Sequence, residues 1–236
     1  MINFPLSEIC LESVDSTNNY LKRILKEDEP PFGISVMTKV QTFGRGRLGR
    51  SWQSSQGSLC MSIAVKNQYA EGFTLLVALA VYEALKPFCK GKPLLIKWPN
   101  DIICENKKLC GILCERASEY TVIGIGINVN DKEFFGEIKD KATSLYLLTS
   151  RRFDVKDVFT AVNTSFEKLM TEFDFSFSPK AREEYKNLCA NIGKEVKTEK
   201  YTGIATDIDE RGGLLVKTEE ETISLTSGEV AVHGIY

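Results

Sequence analysis

The sequence predicts an α+β protein: a mixed β-sheet flanked by helices, followed by a small SH3-like β-barrel. Three observations carry this. Strand-like and helix-like segments follow one another without regular alternation over the first 190 residues, which argues against a doubly wound parallel sheet. After Asn191 the pattern changes to short alternating strands separated by turns. The 236 residues are 43% apolar and only 26% charged, enough for a sizeable core and unlike a disordered chain. The expected division is 1–190 and 191–236.

Taken in order, residues 8–14 read as a strand, and Asp15-Ser-Thr-Asn18 supplies capping residues for a helix over 19–27. Tyr20, Leu21, Ile24 and Leu25 form that helix's apolar face. Residues 33–41 and 58–66 are β-branched or apolar runs, expected as strands. Between them, 44–57 has neither period. Residues 73–89 form the longest apolar helical pattern, and 94–98, 101–105, 108–116 and 121–129 follow as strands. The connection at 105–107 is short enough for a hairpin. Helices are expected at 155–173 and 179–190. Five short strands then fall within 193–199, 202–209, 214–218, 222–226 and 228–233.

Composition also excludes chemistries. The single histidine, His233, rules out a multi-histidine metal site and leaves histidine-based catalysis only at the tail. Lys+Arg at 30 against Asp+Glu at 32 gives a net charge of -2, which disfavours a dedicated nucleic-acid binder. Seven cysteines show no paired zinc spacing. Most sit in apolar runs as small hydrophobes, although Cys104, Cys110 and Cys114 could also be read as soft ligands. A secretory signal is lacking, and no apolar run approaches the roughly 20 residues of a membrane span, so a cytoplasmic location is expected.

Four segments carry candidate chemistry. Gln41-Thr-Phe-Gly-Arg-Gly-Arg-Leu-Gly-Arg-Ser-Trp52 alternates glycine with Arg45, Arg47 and Arg50. Glycine lets backbone approach a ligand, and arginine offers forked donors to an anion, so the segment suits a loop closing over an anionic substrate. Read alone, it is also compatible with a solvated loop or a nonspecific nucleic-acid contact. Lys97-Trp-Pro-Asn-Asp101, with Lys107-Lys-Leu-Cys-Gly111 after it, gathers cations, an amide and a carboxylate at one strand end. Asp101 there could hold a Mg²⁺ completed by phosphates and water, or the segment could be an ordinary turn. Gly124-Ile-Gly-Ile-Asn-Val-Asn130 lacks the third glycine of a dinucleotide fingerprint. Its glycines better suit a flat ligand lying on the sheet, with Asn128 and Asn130 at the strand end. Asp15-Ser-Thr-Asn18 either caps a helix or presents hydroxyls and amides to an uncharged polar group.

In this order and spacing the four segments resemble the biotin–protein ligases, in their short form without an N-terminal DNA-binding domain. The resemblance spans 15–130, and the β-rich tail is similar to that family's C-terminal domain. It implies an ATP-dependent, AMP-forming ligase: biotin and ATP give biotinyl-5′-adenylate, and biotin is transferred to a lysine of a biotin carboxyl carrier protein. Two anions must be brought together, which is work for arginines, lysines and Mg²⁺, and no histidine base is needed because the attacking carboxylate is already ionised.

Carried over by position, Ser16, Thr17, Asn18 and Gln41 would bind the ureido head, with Gly111 and Gly124 also lining the biotin site. Arg45, Gly46 and Arg47 would close over the adenylate, and Lys108 would meet the biotin carboxylate and α-phosphate. Arg47, Arg50, Trp52, Lys97, Asn100, Asn128 and Asn130 would serve ATP, and Asp101 would bind Mg²⁺. Arg45, Lys97 and Lys108 are the expected catalytic residues. Leu48 and Cys110 depart from the usual family pattern without removing a ligand. The motif begins at residue 15, so no nucleic-acid partner is expected; a homodimer through exposed sheet is. Two other readings are lipoate–protein ligases or octanoyltransferases, against which the glycine-arginine loop and the Lys97–Asp101 segment both speak, and a nucleic-acid-binding module, which explains neither that segment nor the charge.

Overall fold

The computed structural model describes residues 4–27, 33–66, 70–226, 228 and 230–236. The main sheet has seven strands: β1 (Ser7–Val14), β2 (Ile34–Gln41), β3 (Leu59–Lys66), β4 (Leu94–Lys97), β5 (Asp101–Cys104), β6 (Lys107–Ala117) and β7 (Tyr120–Ile127). Their order is β1-β2-β3-β7-β6-β5-β4. β1 and β2 are parallel and joined through α1 (Thr17–Glu27); every other pair is antiparallel, so the sheet is mixed. Glu105 and Asn106, both at positive φ, make the tight turn from β5 to β6.

Strand alternation decides what each face carries. Met61, Ile63, Ile123, Ile125 and Ile112 point to one face and join a core with α2 (Phe73–Leu85) and α4 (Val155–Phe173). Nearly all of α2 is apolar and buried, as expected for a helix enclosed between a sheet and a second helix. Its expected continuation to residue 89 is instead a 3₁₀ turn, Lys86–Cys89. On the opposite face α1 packs Leu21 against Val36, Ala64 and Val122. Beyond that contact the same face carries two further cross-strand rows, under the first turn of α1 and the Trp52 ring. They are Ser62–Gly124–Leu113 and Cys60–Gly126–Gly111. These rows form the floor of the site.

A short helix α3 (Leu145–Thr149), which the periodicity did not suggest, precedes α4; its N-cap Ser144 accepts from the Leu147 amide. Helix α5 (Pro179–Leu188) leads into the second sheet: β8 (Glu195–Lys197), β9 (Thr202–Ile208), β10 (Leu214–Lys217), β11 (Thr222–Leu225) and β12 (Ala231–Val232). The five strands are antiparallel in the order β11-β10-β9-β8-β12. Among the described residues no ladder joins β11 to β12, so the expected barrel is an open antiparallel sheet; the expected last strand also includes residue 229, which lies outside the described residues. Val196, Ala205, Ile208, Leu214 and Val216 belong to the same contiguous core as α2 and α4. The small sheet is therefore docked on the main unit.

Candidate active site

A cavity of about 630 Å³ opens over these rows, lined there by Cys60, Gly111, Leu113, Gly124 and Gly126. Its polar end is built from the start of α1 and the end of β2. Gln41 Oε1 accepts from the Thr17 amide at 3.0 Å and the Thr17 hydroxyl at 3.3 Å. The Ser62 hydroxyl lies 2.6 Å from Thr17 Oγ1 and 2.5 Å from Asn18 Oδ1. Asn18 Nδ2 donates to Glu115 Oε2 at 2.8 Å, and Lys22 pairs with the other Glu115 oxygen at 2.8 Å. Burial pulls the Glu115 carboxyl up, but the Asn18 and Lys22 hydrogen bonds outweigh it and the net shift is downward, so Glu115 stays an acceptor. Ser16, Thr17 and Asn18 are each 3% exposed.

The floor is thin for a reason. A methyl group at Gly124 would stand 2.5 Å from Asn18 Oδ1, and one at Gly126 would stand 2.3 Å from Trp52 Cε2. Only glycine leaves room for an amide and an indole to lie directly on the strands. The flat group on this surface is the protein's own Trp52, and a methyl group at Gly111 would also stand 3.1 Å from its ring.

The cationic end gathers distant segments. The loop from Gly44 to Trp52 closes on itself: the Gly46 amide donates to Arg50 O at 2.7 Å and the Trp52 amide to Gly44 O at 3.0 Å. A 3₁₀ turn, Arg47–Gly49, forms its tip, where Leu48 and Gly49 take positive φ. Arg47 donates to Asn100 Oδ1 at 2.7 Å and to Gly228 O at 3.4 Å. Asn100 in turn donates to Ile112 O at 2.8 Å, so its amide ties loop to sheet. Trp98 Nε1 donates to Gly212 O at 2.9 Å, and the Trp98 amide to Asn191 Oδ1 at 2.8 Å. Both bonds reach from the motif into or toward the small sheet.

Asp101 lies at the centre of this end. Lys108 Nζ pairs with Oδ1 at 2.8 Å, and the Tyr236 hydroxyl donates to Oδ2 at 2.5 Å. Burial and the neighbouring carboxylate hold the Tyr236 phenol protonated, well above its usual range. Lys97 is 8% exposed. Burial lowers its amine to about 8, against the pull of Asp101 and helped by the nearby Lys108, Arg50 and Lys141. Among the described residues no group of three or more His, Cys, Asp or Glu side chains could hold a metal. A single carboxylate amid cations suits a hydrated Mg²⁺ that arrives with phosphates, not a resident ion.

Of the residues expected from sequence, Ser16, Thr17, Asn18, Gln41, Arg45, Gly46, Arg47, Arg50, Trp52, Lys97, Asn100, Asp101, Lys108, Gly111, Gly124 and Asn128 all line this one cavity. Asn130 does not. Its amide donates to Phe153 O at 2.8 Å and accepts from the Phe153 amide at 3.0 Å, clamping the chain beyond β7. Asn128 lines the cavity but donates to Thr143 O at 2.9 Å. Cys104 and Cys110 are buried in the core, in line with the reading as buried thiols, and burial pushes the Cys114 thiol up to about 11. Ser62, Glu115, Gly126 and Tyr236 were not singled out as site residues. Gly126 lies within the Gly124–Asn130 segment, whereas no local pattern marks the other three.

Comparison with known proteins identifies the family. The model of the biotin/lipoate A/B protein ligase family matches residues 10–130, and that of the biotin protein ligase C terminal domain matches 192–232. The bifunctional ligase/repressor BirA of Bacillus spizizenii is 32% identical over 236 residues, covering 93% of this chain and 72% of the relative. The biotin–[acetyl-CoA-carboxylase] ligase of Mycobacterium tuberculosis is 30% identical, covering 84% of this chain and 78% of the relative. Among solved structures, a biotin protein ligase from Aquifex aeolicus in complex with biotin and ATP superposes with a TM-score of 0.85 at 34% identity, covering 96% of this chain and 98% of that one. With its motifs converging on one cavity and both family models matched in order, the chain belongs to the biotin/lipoate A/B protein ligase family and carries the biotin protein ligase C-terminal domain.

Proposed function

We propose that this chain activates biotin with ATP and transfers it to a lysine of a biotin carboxyl carrier protein. One observation carries the reading. A single cavity has a desolvated amide-and-hydroxyl end at Thr17, Asn18 and Gln41 and a cationic end at Lys97 and Lys108 around Asp101. That is the arrangement needed to hold a neutral ureido head while its carboxylate is brought to a phosphate. In the first step a biotin carboxylate oxygen bonds to the α-phosphorus as the bond to pyrophosphate breaks. In the second a neutral lysine amine attacks the acyl carbon, AMP departs with the bonding electrons, and the nitrogen gives up one proton to solvent. Arg45, Lys97 and Lys108 stabilise the charge that develops on the phosphate.

Ser16, Thr17, Asn18, Gln41, Gly111 and Gly124 form the biotin side, with Arg45, Gly46 and Arg47 closing over it. Arg47, Arg50, Trp52, Lys97, Asn100 and Asn128 serve ATP, Asn100 chiefly by holding Arg47. Mg²⁺ enters as part of the nucleotide substrate and meets Asp101. The division into a biotin/ATP-binding unit, 1–190, and a C-terminal unit, 191–236, belongs to this reading. So do a cytoplasmic location and a homodimer formed through exposed sheet, for which the edge strand β1 is available. No helix among the described residues is long and apolar enough to cross a membrane. Nucleic acid is not among the proposed partners.

The test is incubation with Mg-ATP, biotin and a carrier domain. The carrier is expected to gain the mass of one biotin with release of AMP and pyrophosphate. An unmodified carrier, together with calorimetric binding of lipoate in place of biotin, would overturn the assignment.

A further inference from the structure

The C-terminal unit lines the cavity with Gly228, Val230, Ala231 and Tyr236, and of these Tyr236 reaches its charged end with a side chain. Tyr236 lies beyond β12 and is tied down on both sides. Ile235 is buried and its amide donates to Val232 O at 3.1 Å, while the Tyr236 amide donates to Asn106 O at 3.3 Å in the β5–β6 turn. From there one side chain touches both ends of the Lys97–Asp101 segment. Its hydroxyl donates to Asp101 Oδ2, and Lys97 Nζ stands 3.8 Å from the centre of its ring.

Lys97 and Asp101 face one another across the β4–β5 ladder, so their opposite charges are neighbours by register. A direct ion pair between them would take both charges out of reach of a nucleotide. The tyrosine gives each a neutral contact: its ring faces Lys97, and its hydroxyl takes Oδ2 of Asp101, whose Oδ1 pairs with Lys108. A ring face stabilises an ammonium without removing its positive charge. A hydroxyl occupies one of about four acceptor directions of a carboxylate, leaving capacity for a cation.

We propose that Tyr236 is a positioning residue of the nucleotide half of the site. It holds Lys97 and Asp101 apart and facing the cavity, so that the ammonium meets phosphate oxygens and the carboxylate meets the Mg²⁺ that ATP brings. This rests on the ligase reading above.

Two variants separate its two contacts. Tyr236→Phe keeps the ring over Lys97 and removes the hydroxyl; Tyr236→Leu removes both. Calorimetry on the full chain reads the dissociation constants for Mg-ATP and for biotin separately. Tyr236→Phe is expected to weaken Mg-ATP about tenfold, the scale of one hydrogen bond to a charged group. Biotin binding and the thermal midpoint should stay within twofold and about 2 °C of wild type. Tyr236→Leu is expected to lose about threefold more for Mg-ATP, the part that the phenylalanine ring rescues. Mg-ATP binding by Tyr236→Phe within twofold of wild type overturns the role, as does equal weakening of both ligands, which would mark a merely structural residue. Because Tyr236→Phe preserves the packing, it answers even where Tyr236→Leu does not fold. Wild-type protein that forms no biotinyl-adenylate overturns the ligase reading and this role with it. Active wild type with an unaffected Tyr236→Phe overturns the role alone.

Discussion

The two ends of the cavity are built on opposite plans. The amide-and-hydroxyl end is buried, and its groups already satisfy one another: Gln41 holds Thr17, Ser62 and Glu115 hold Asn18. All of it comes from elements packed side by side on one face of the main sheet. The cationic end is assembled from a loop, a strand end and the second sheet, joined by Arg47 to Asn100 and Gly228, Trp98 to Gly212, and Tyr236 to Asp101. Its Arg45 and Arg50 remain exposed. The contrast follows from desolvation. Fixed neutral dipoles can be buried in advance because they satisfy each other, whereas buried cations are costly until their anion arrives. Lys97 is the buried exception, and its lowered pKa records that cost.

The contrast can be broken most severely at Lys108. Lys108→Ala removes the cation that pairs with Asp101, and pyrophosphate release is expected to fall by about a thousandfold, as for loss of a transition-state donor, with biotin affinity changed far less. Equal losses in both would mean that the two ends are not separate devices. A smaller effect is expected at the other end. Asn18→Ala leaves Glu115 and Ser62 without a shared partner and should weaken biotin by about tenfold to a hundredfold in equilibrium binding. Mg-ATP binding should hold within twofold. A nucleotide defect as large as the biotin defect would erase the distinction.

The mildest test uses pH. Below about 8 the Lys97 amine is charged and can meet phosphate; above it the neutral amine predominates, because its pKa in the folded protein is lowered. The rate constant kcat/KM for Mg-ATP should therefore be about half its plateau near pH 8 and fall further as pH rises, while the KM for biotin stays flat. Lys97→Arg, which keeps its charge, should carry the alkaline limb upward; an unmoved limb would assign it to another group.

Much of the site was legible because its segments are short and each carries its chemistry locally. The apolar run 121–129 reads as a strand and coincides with β7, and the aperiodic glycine-arginine run coincides with a loop. What escaped was non-local. Tyr236 and Asp101 are 135 positions apart, and nothing near either announces the other. Glu115 and Ser62 belong to ordinary strand patterns, and only the register across β3, β7 and β6 sets them around Asn18. Asn130 departs from the expectation for the converse reason. An amide at a strand end is equally suited to a ligand and to a backbone, and here the Phe153 backbone claims it. The closure of a barrel is similarly a property of two terminal strands that strand count alone does not determine.

The glycine floor has a consequence for redesign. Engineers who enlarge a pocket usually shave a side chain and supply a bulkier ligand that fits the hole. At Gly124 and Gly126 there is nothing left to shave, since hydrogen is already the smallest substituent. Depth at the glycines is therefore a closed variable here, and variants seeking thicker or modified analogues must gain space from other lining residues, such as Leu48 or Ile138, while leaving the floor alone.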